Sequence, residues 1–362
     1  DEGDAFGVAA LCAELLPKAA QANVLSYAIS RLEQHVSPGL ADGEWQTGLC
    51  PGSDIDDAIA GLVWNALSAP NAETRWEAAH CVCRIVALNN ENQVKHLLLW
   101  DERGNPGAFG SPSLPFYELH ARLYLLIAIR RAAIDFPNNL NSTLSWLKGH
   151  ANCSSQHILL STYARDTLLE LANMEGAALT EPELNRLNSI GTSQFEIVDK
   201  KDWNETFSTP QHLAGHMKEG EDKFGGDHDF VAYWYDSLGR VFGVSATQIG
   251  DLVSDVVVPG WVSELTEYGG VEDPRRDQWG KYHRRNDTHH SHGSYPRTDT
   301  YRFYLTYHAL MVVAGRLLRA MPMVRRCNDD GDNPFEEWLS GHLLSRNEGY
   351  WLSDRRDRMP LR

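Results

Sequence analysis

A run of histidines, arginines and aromatic residues between positions 279 and 295 contains the largest group of side chains capable of chemistry. His289, His290 and His292 could supply imidazole ligands to zinc or nickel. A metal site needs three or four ligands that converge from rigid elements, and an HHxH loop meets this requirement poorly. The alternatives are a surface loop held by hydrogen bonds and a contact surface for a protein, because Trp, Tyr and Arg dominate binding hot spots. The contact residues predicted on that basis are Trp279, Tyr282, His283, Arg284, Arg285, His292 and Tyr295.

A second polar group, Asp227, His228 and Asp229, suggests a metal-dependent phosphohydrolase, which would need further His and Asp residues on neighbouring helices. With His283 and the three loop histidines, it defines an alternative hypothesis: an enzyme of unfamiliar type with a His/Asp site in the second half of the chain. Elsewhere, His308 lies on the apolar side of a predicted helix, and we expect a core histidine whose hydrogen bonds are satisfied.

Sequence motifs for common enzymes are absent. The chain has no GxxxxGK[ST] phosphate loop, no GxSxG elbow and no HExxH pair. The six cysteines include no CxxC pair, so we expect reduced thiols in the cytoplasm and neither a zinc ribbon nor a disulfide framework. No stretch approaches the ~18 apolar residues of a membrane span. The sequence therefore predicts no cofactor and no membrane segment, and it favours a non-enzymatic role.

Apolar periodicity predicts an all-α fold. Residues 55–67, 116–134 and 158–171 follow the i, i+3, i+4 pattern. In the first of these helices the pattern is carried by Ile55, Ala58, Ile59, Leu62, Val63, Ala66 and Leu67, which are expected on one apolar face. Arg75, Arg122 and Arg165 recur on helices at the spacing of HEAT repeats. We therefore predict HEAT-like stacked helix pairs over residues 1–190, with an irregular helical domain as the alternative.

The second half of the chain differs in composition. Residues 191–362 are rich in tryptophan and loops and predict a second, mainly helical domain, with helices at 230–242 and from Asp299 and a helix or buried strand at 249–258. Residues 270–362 carry 16 Lys and Arg against 13 Asp and Glu, whereas the whole chain has a net charge of −16. This balance makes nucleic acid an unfavourable partner for residues 1–269 and leaves the question open for 270–362.

Four segments together carry a family resemblance: Arg75–His80, Phe116–Leu123, His292–Pro296 and Tyr304–Ala309. They resemble the helical-repeat C-terminal regions of large bacterial STAND-type NTPases of antiviral defence. The resemblance implies a sensor for a foreign or viral protein, with an ATPase and an effector elsewhere in the chain. Because the first residue is Asp1 and the phosphate loop is missing, we expect a fragment of a longer protein.

These observations lead to one function hypothesis with one rival. The leading hypothesis is a non-catalytic protein-recognition or scaffold module that binds a protein partner or the missing domains of its own chain, since stacked helices provide long surfaces and require no chemistry. The rival is the His/Asp enzyme described above.

Overall fold

The computed structural model describes most of the region from residue 52 to residue 345. Contacts divide the chain into a unit of residues 1–47 and a unit of residues 48–362. The described residues are 16–17, 20–21, 23–24, 26–27, 30–31, 52–110, 114–152, 157–173, 179–199, 210, 213, 224, 229–258, 260–262, 295–325 and 333–345. All elements named below belong to the second unit.

Seven α-helices lie in the described residues of the first part of this unit. They are α1 (Ile55–Leu67), α2 (Ala72–Ala87), α3 (Glu91–Arg103), α4 (Glu118–Asp135), α5 (Leu144–Ala151), α6 (Ile158–Ala172) and α7 (Glu181–Ser189). A short 3-10 turn, Gly107–Phe109, follows α3, and a second 3-10 segment, Pro137–Thr143, leads into α5. Hydrophilic side chains define the helix starts: Asp54 caps α1 and Asn71 caps α2, each accepting two backbone N–H bonds.

Alternate helices form two layers. Helix α1 packs on α3, and α3 packs on the 3-10 segment before α5, whereas α2 packs on α4 and α4 packs on α6. Arg75, Arg122 and Arg165 lie on α2, α4 and α6, which are successive helices of one layer. Their spacing therefore corresponds to the step from one helix pair to the next, and the all-α prediction is confirmed.

In the described residues of the second part there are four further α-helices and a π-helical turn. The turn is Phe230–Tyr235, and the helices are α8 (Asp236–Phe242), α9 (Ala246–Val257), α10 (Tyr301–Ala320) and α11 (Pro334–Ser340). Val198–Asp199 (β1) pairs in parallel with Val324–Arg325 (β2). The segment that periodicity left ambiguous is helical, with Ser245 and Gln248 forming a capping box at its start.

Helix α10 connects the two parts. It packs against both α9 and α6, and 15 of its 20 residues are buried. Residues on both sides of position 190 share one hydrophobic core. The boundary predicted near residue 190 therefore lies inside the 48–362 unit, and its role in folding stays a prediction.

Some local expectations need correction. Ile55, Ile59 and Leu62 are exposed, because α1 packs on its neighbours through Ala60, Val63, Trp64 and Leu67. Helix α3 was not anticipated from the sequence, and it extends through Asp101 to Arg103. Cys81 is exposed, whereas Cys83 is half-buried with its Sγ bonded to the Ala128 carbonyl; both are free thiols. Among the described helices, none is long and apolar enough to cross a membrane.

Candidate functional site

A cavity of about 840 Å³ opens between the first and second parts of the helical fold. Helices α3, α4, α5 and α6 supply one wall, and α9 and α10 supply the other. Its volume falls within the ~300–1,000 Å³ range of small-ligand sites. The lining residues used below are Leu98, Asp101, Glu102, Leu119, Arg122, Ser142, Ser145, Trp146, Gly149, His150, His157, Asp255, Val256, Trp261, Val312 and Arg316.

Asp101 organises the polar side of this cavity. Only 4% of its side chain is exposed, and its carboxylate accepts hydrogen bonds from Arg122 Nε (2.8 Å), Trp146 Nε1 (2.7 Å) and His150 Nε2 (2.9 Å). Burial alone would raise the pKa of Asp101, but the hydrogen bond from His150 and the charge of Arg122 lower it below its usual value. Asp101 is therefore ionised, and its carboxylate accepts hydrogen bonds from three donors.

The network leaves specific atoms available to a ligand. Arg122 uses Nε for Asp101 and one terminal nitrogen for Glu118 at 2.6 Å, so its other terminal nitrogen has no partner in the described part of the chain. Because His150 must donate Nε2–H to the ionised Asp101, its Nδ1 is an acceptor when the ring is neutral. The hydroxyl of Ser142 is buried without a hydrogen-bond partner among the described residues. The wall thus offers both donors and an acceptor.

Behind the cavity, three buried histidines form a continuous chain of hydrogen bonds. His157 Nε2 lies 2.9 Å from His308 Nδ1, and His308 Nε2 lies 2.8 Å from His120 Nδ1. His120 Nε2 then lies 2.6 Å from the Asp299 carboxylate. His120 lies on α4, His157 caps the start of α6, His308 lies on α10, and Asp299 lies in the segment that precedes α10. These hydrogen bonds therefore connect the two parts of the fold.

The groups at the two ends of this series of hydrogen bonds fix which atom donates in each of them. At one end the Leu160 backbone N–H donates to His157 Nδ1, and at the other the ionised Asp299 accepts from His120. Each ring can therefore be neutral, with its proton on Nε2 pointing towards Asp299. Asp299 also pairs with Arg75 at 2.9 Å, and both side chains are buried. Burial lowers the pKa of His157 to about 3 and those of His120 and His308 well below the ordinary value.

The geometry of this hydrogen-bond chain differs from that of a metal centre. The ring nitrogens face one another at hydrogen-bonding distance, whereas metal ligands converge on a common point. His157 Nδ1 is engaged by the start of α6 and does not reach into the cavity as a base. In the described part of the chain, no group of three His, Cys, Asp or Glu residues could hold a metal ion. The expectation that His308 is a satisfied core histidine is confirmed.

A cluster of aromatic side chains surrounds His342 at the other end of the second part. The ring centroids of Trp338 and Trp234 lie 4.4 Å and 5.2 Å from its own, and the Tyr295 hydroxyl lies 3.4 Å from its Nδ1. Burial lowers the pKa of His342 to about 4. Tyr295 joins this cluster and exposes 42% of its surface, and its role as a contact residue stays a prediction.

A separate surface feature lies on α1. Ile55, Ile59 and Leu62 are 72%, 45% and 59% exposed. Their i, i+4, i+7 spacing places them on one face of the helix, where half-buried Ala58 and Ala66 continue the row. We call these five residues the α1 stripe. Isolated exposed aliphatic residues are ordinary, whereas a row of them along one helix face is less common.

Most of the residues that the sequence singled out lie outside the described part of the chain. These are Trp279, Tyr282, His283, Arg284, Arg285, His289, His290 and His292, together with Asp227 and His228. Their roles stay predictions.

Sequence reasoning missed Asp101, His150, His157 and Asp299. The last two stand immediately before predicted helices, but their partners lie 151 and 179 positions away, and no local pattern announces such pairs. The chain matches no known family model and no curated protein sequence.

Proposed function

We propose that this chain is a non-catalytic protein-recognition module that binds an amphipathic helix of a partner protein along the α1 stripe. The observation that carries the proposal is the exposure of Ile55, Ile59 and Leu62 on one helix face. In helix-in-groove recognition, anchors at i, i+4 and i+7 insert into a complementary apolar face. The two-layer array beneath the stripe provides a rigid support, and such support reduces the entropy lost on binding.

The energetics of the stripe favour association. Fully burying one large aliphatic side chain gains about 1.5–3 kcal/mol, so three anchors provide enough gross energy to offset part of the entropic cost of association. The negative charge of this protein indicates which residues should flank the apolar face of the partner helix. Asp54 lies beside the stripe at the start of α1 with 59% of its side chain exposed, and the whole chain carries a net charge of −16. A partner helix with basic residues at its edges complements this surface.

The resemblance to bacterial STAND-type NTPases supports a particular setting for this recognition. In that setting the module is the cytoplasmic sensor part of a longer defence protein, and its partner is a foreign or viral protein. The segments that carry the resemblance include Arg75 and His120, which belong to the buried network, and Leu123 in the core of α4. The expected result of sequencing the adjoining gene regions is a phosphate loop in the same reading frame. A complete open reading frame without one would overturn the sensor assignment while leaving helix recognition standing.

Direct binding tests the role of the α1 stripe. The wild-type chain and the double variant Ile59→Glu/Leu62→Glu serve as baits in lysates of infected and uninfected bacteria, with quantitative mass spectrometry as the readout. The control is Leu88→Glu, which introduces one glutamate, against two in the double variant, at a leucine that is 79% exposed and lies outside the stripe. Both substitutions are at exposed positions, so we expect unchanged thermal unfolding, within about 0.5 kcal/mol in stability per site.

We expect at least one protein to be retained by wild type and by Leu88→Glu and lost, by tenfold or more, from the double variant. A basic amphipathic helix excised from that protein should then bind the purified chain and should compete with the full partner. Equal retention by all three baits would overturn the assignment of the stripe, as would a retained partner that lacks such a helix.

A further inference from the structure

Gly149 lines the cavity at a helix position where a larger residue would fit. This glycine lies within helix α5, where glycine costs roughly 0.5–1 kcal/mol relative to alanine. A Cβ atom built at Gly149 would meet no atom within 4 Å, so packing does not require the absence of a side chain. The residue lines the cavity. Its effect on the structure is to leave space at the wall formed by α5.

Two polar side chains of the lining suit an amide. The available terminal nitrogen of Arg122 can donate, and Nδ1 of His150 can accept, as described above. A peptide group presents one acceptor and one donor close together, and this combination satisfies both kinds of atom at once.

The charges of the lining argue against an ionic ligand. Three carboxylates (Asp101, Glu102 and Asp255) face two guanidinium groups (Arg122 and Arg316), so an anion would enter a site with a net negative charge. A cation finds the buried carboxylate of Asp101 already occupied by three donors. The remaining wall is apolar, with Leu98, Leu119, Trp146, Val256, Trp261 and Val312. Uncharged amide groups on an apolar body match this lining best.

We infer that the cavity is a second binding site, distinct from the α1 stripe, for a short uncharged apolar peptide segment. The backbone carbonyl oxygens of the peptide accept from Arg122, its N–H groups donate to His150, and its side chains pack on the tryptophans and aliphatic residues. The cavity volume of about 840 Å³ accommodates a segment of a few residues. This inference does not depend on the proposed role of α1, because the two sites share no residue.

The test uses a defined peptide library with the whole purified chain. The probes are pentapeptides of Leu, Ile, Val, Phe, Ala and Ser, acetylated and amidated at their ends. Two further sets have the same sequences, one with free carboxylates and one with a terminal lysine. Affinity selection with mass spectrometry identifies binders, and titration calorimetry measures their affinity. The blocking variants are Gly149→Trp and Ser145→Trp, which each place an indole in the cavity, and Gly149→Ala is the matched control.

We expect capped peptides to bind wild type and Gly149→Ala with similar affinity and to bind each blocking variant at least tenfold more weakly. Trp261→Ala removes one apolar wall and should weaken binding about tenfold. Thermal unfolding of every variant verifies that it is folded. If Gly149→Trp does not fold, Ser145→Trp provides the blocking variant for the test. Equal binding to a folded blocking variant, preference for either charged peptide set, or no binding by wild type would each overturn the inference. None of these outcomes bears on the α1 stripe variants.

Discussion

At the residue scale, two buried carboxylates, Asp101 and Asp299, each bind several side chains from different parts of the fold. Asp101 gathers a guanidinium, an indole and an imidazole, and Asp299 gathers a guanidinium and an imidazole. A buried ion costs several kcal/mol to desolvate, so such a carboxylate is tolerated only when donors surround it. The partners in turn depend on the carboxylate, because without it a buried guanidinium charge and buried N–H donors would lose their acceptor. Asp101 therefore stabilises the cavity wall while also orienting the atoms that a ligand would meet.

Replacing Asp101 by asparagine tests this dependence. The substitution keeps the shape and removes the charge that compensates Arg122, so we expect a loss of about 2–4 kcal/mol, near the lower end for a broken buried pair because Glu118 remains bonded to Arg122. The control is Asp135→Asn, which removes the carboxylate of a half-exposed i, i+4 pair with Arg131 and should cost no more than about 0.5 kcal/mol. Denaturant unfolding measures both, and equal losses would contradict the assignment.

At the scale of elements, helices α1 and α4 show what apolar periodicity can predict and what it cannot. Residues of α4 are buried nearly all round, because layers pack on several of its sides. Helix α1 lies at the end of its layer, and it is more apolar than its packing requires, with Ile55, Ile59 and Leu62 exposed. A pattern of apolar residues predicts a helix in both cases. It does not distinguish residues that face the core from those that face a partner.

Truncation of leucines separates these environments. Leu123 is fully buried in α4, so Leu123→Ala removes apolar contacts and leaves a cavity, and we expect a loss of about 2–5 kcal/mol. Leu88, just after α2, is mostly exposed, and Leu88→Ala should change the unfolding free energy by less than about 0.5 kcal/mol. Chemical denaturation provides the measurement. A small loss for Leu123→Ala would mean that α4 is not at the centre of the array.

At the scale of the whole molecule, neutral buried histidines link stability to pH. In the unfolded chain these groups have the ordinary pKa of 6.5, whereas burial lowers the folded pKa of His157 to about 3 and of His342 to about 4. His120 and His308 shift in the same direction. Between these values the unfolded state binds more protons, so the free energy of unfolding decreases as pH falls below 6.5. Each histidine contributes up to about 1.4 kcal/mol per pH unit.

The variant His342→Phe tests one part of this linkage. Phenylalanine keeps an aromatic ring between Trp338 and Trp234 and cannot bind a proton. We expect the slope of unfolding free energy against pH, measured between pH 6.5 and 4.5, to decrease by up to about 1.4 kcal/mol per pH unit relative to wild type. The comparison concerns slopes, so a constant change in stability at every pH does not affect it. Parallel curves for the two proteins would contradict a neutral, buried His342.

The sequence by itself determined the helical class and the approximate position of several helices. These features depend on interactions over three or four residues, which composition and periodicity report directly. It also predicted that His308 belongs to the core, because that histidine stands among apolar residues of α10.

Only the tertiary structure decided which groups meet. His308 contacts His157 and His120 across 151 and 188 positions, and Asp101 contacts His150 across 49. The packing of helix layers sets these pairs, and the same packing left Ile55, Ile59 and Leu62 on the outside of α1. The free energy of a long-range contact depends on how whole helices pack, and no local pattern of residues encodes that arrangement.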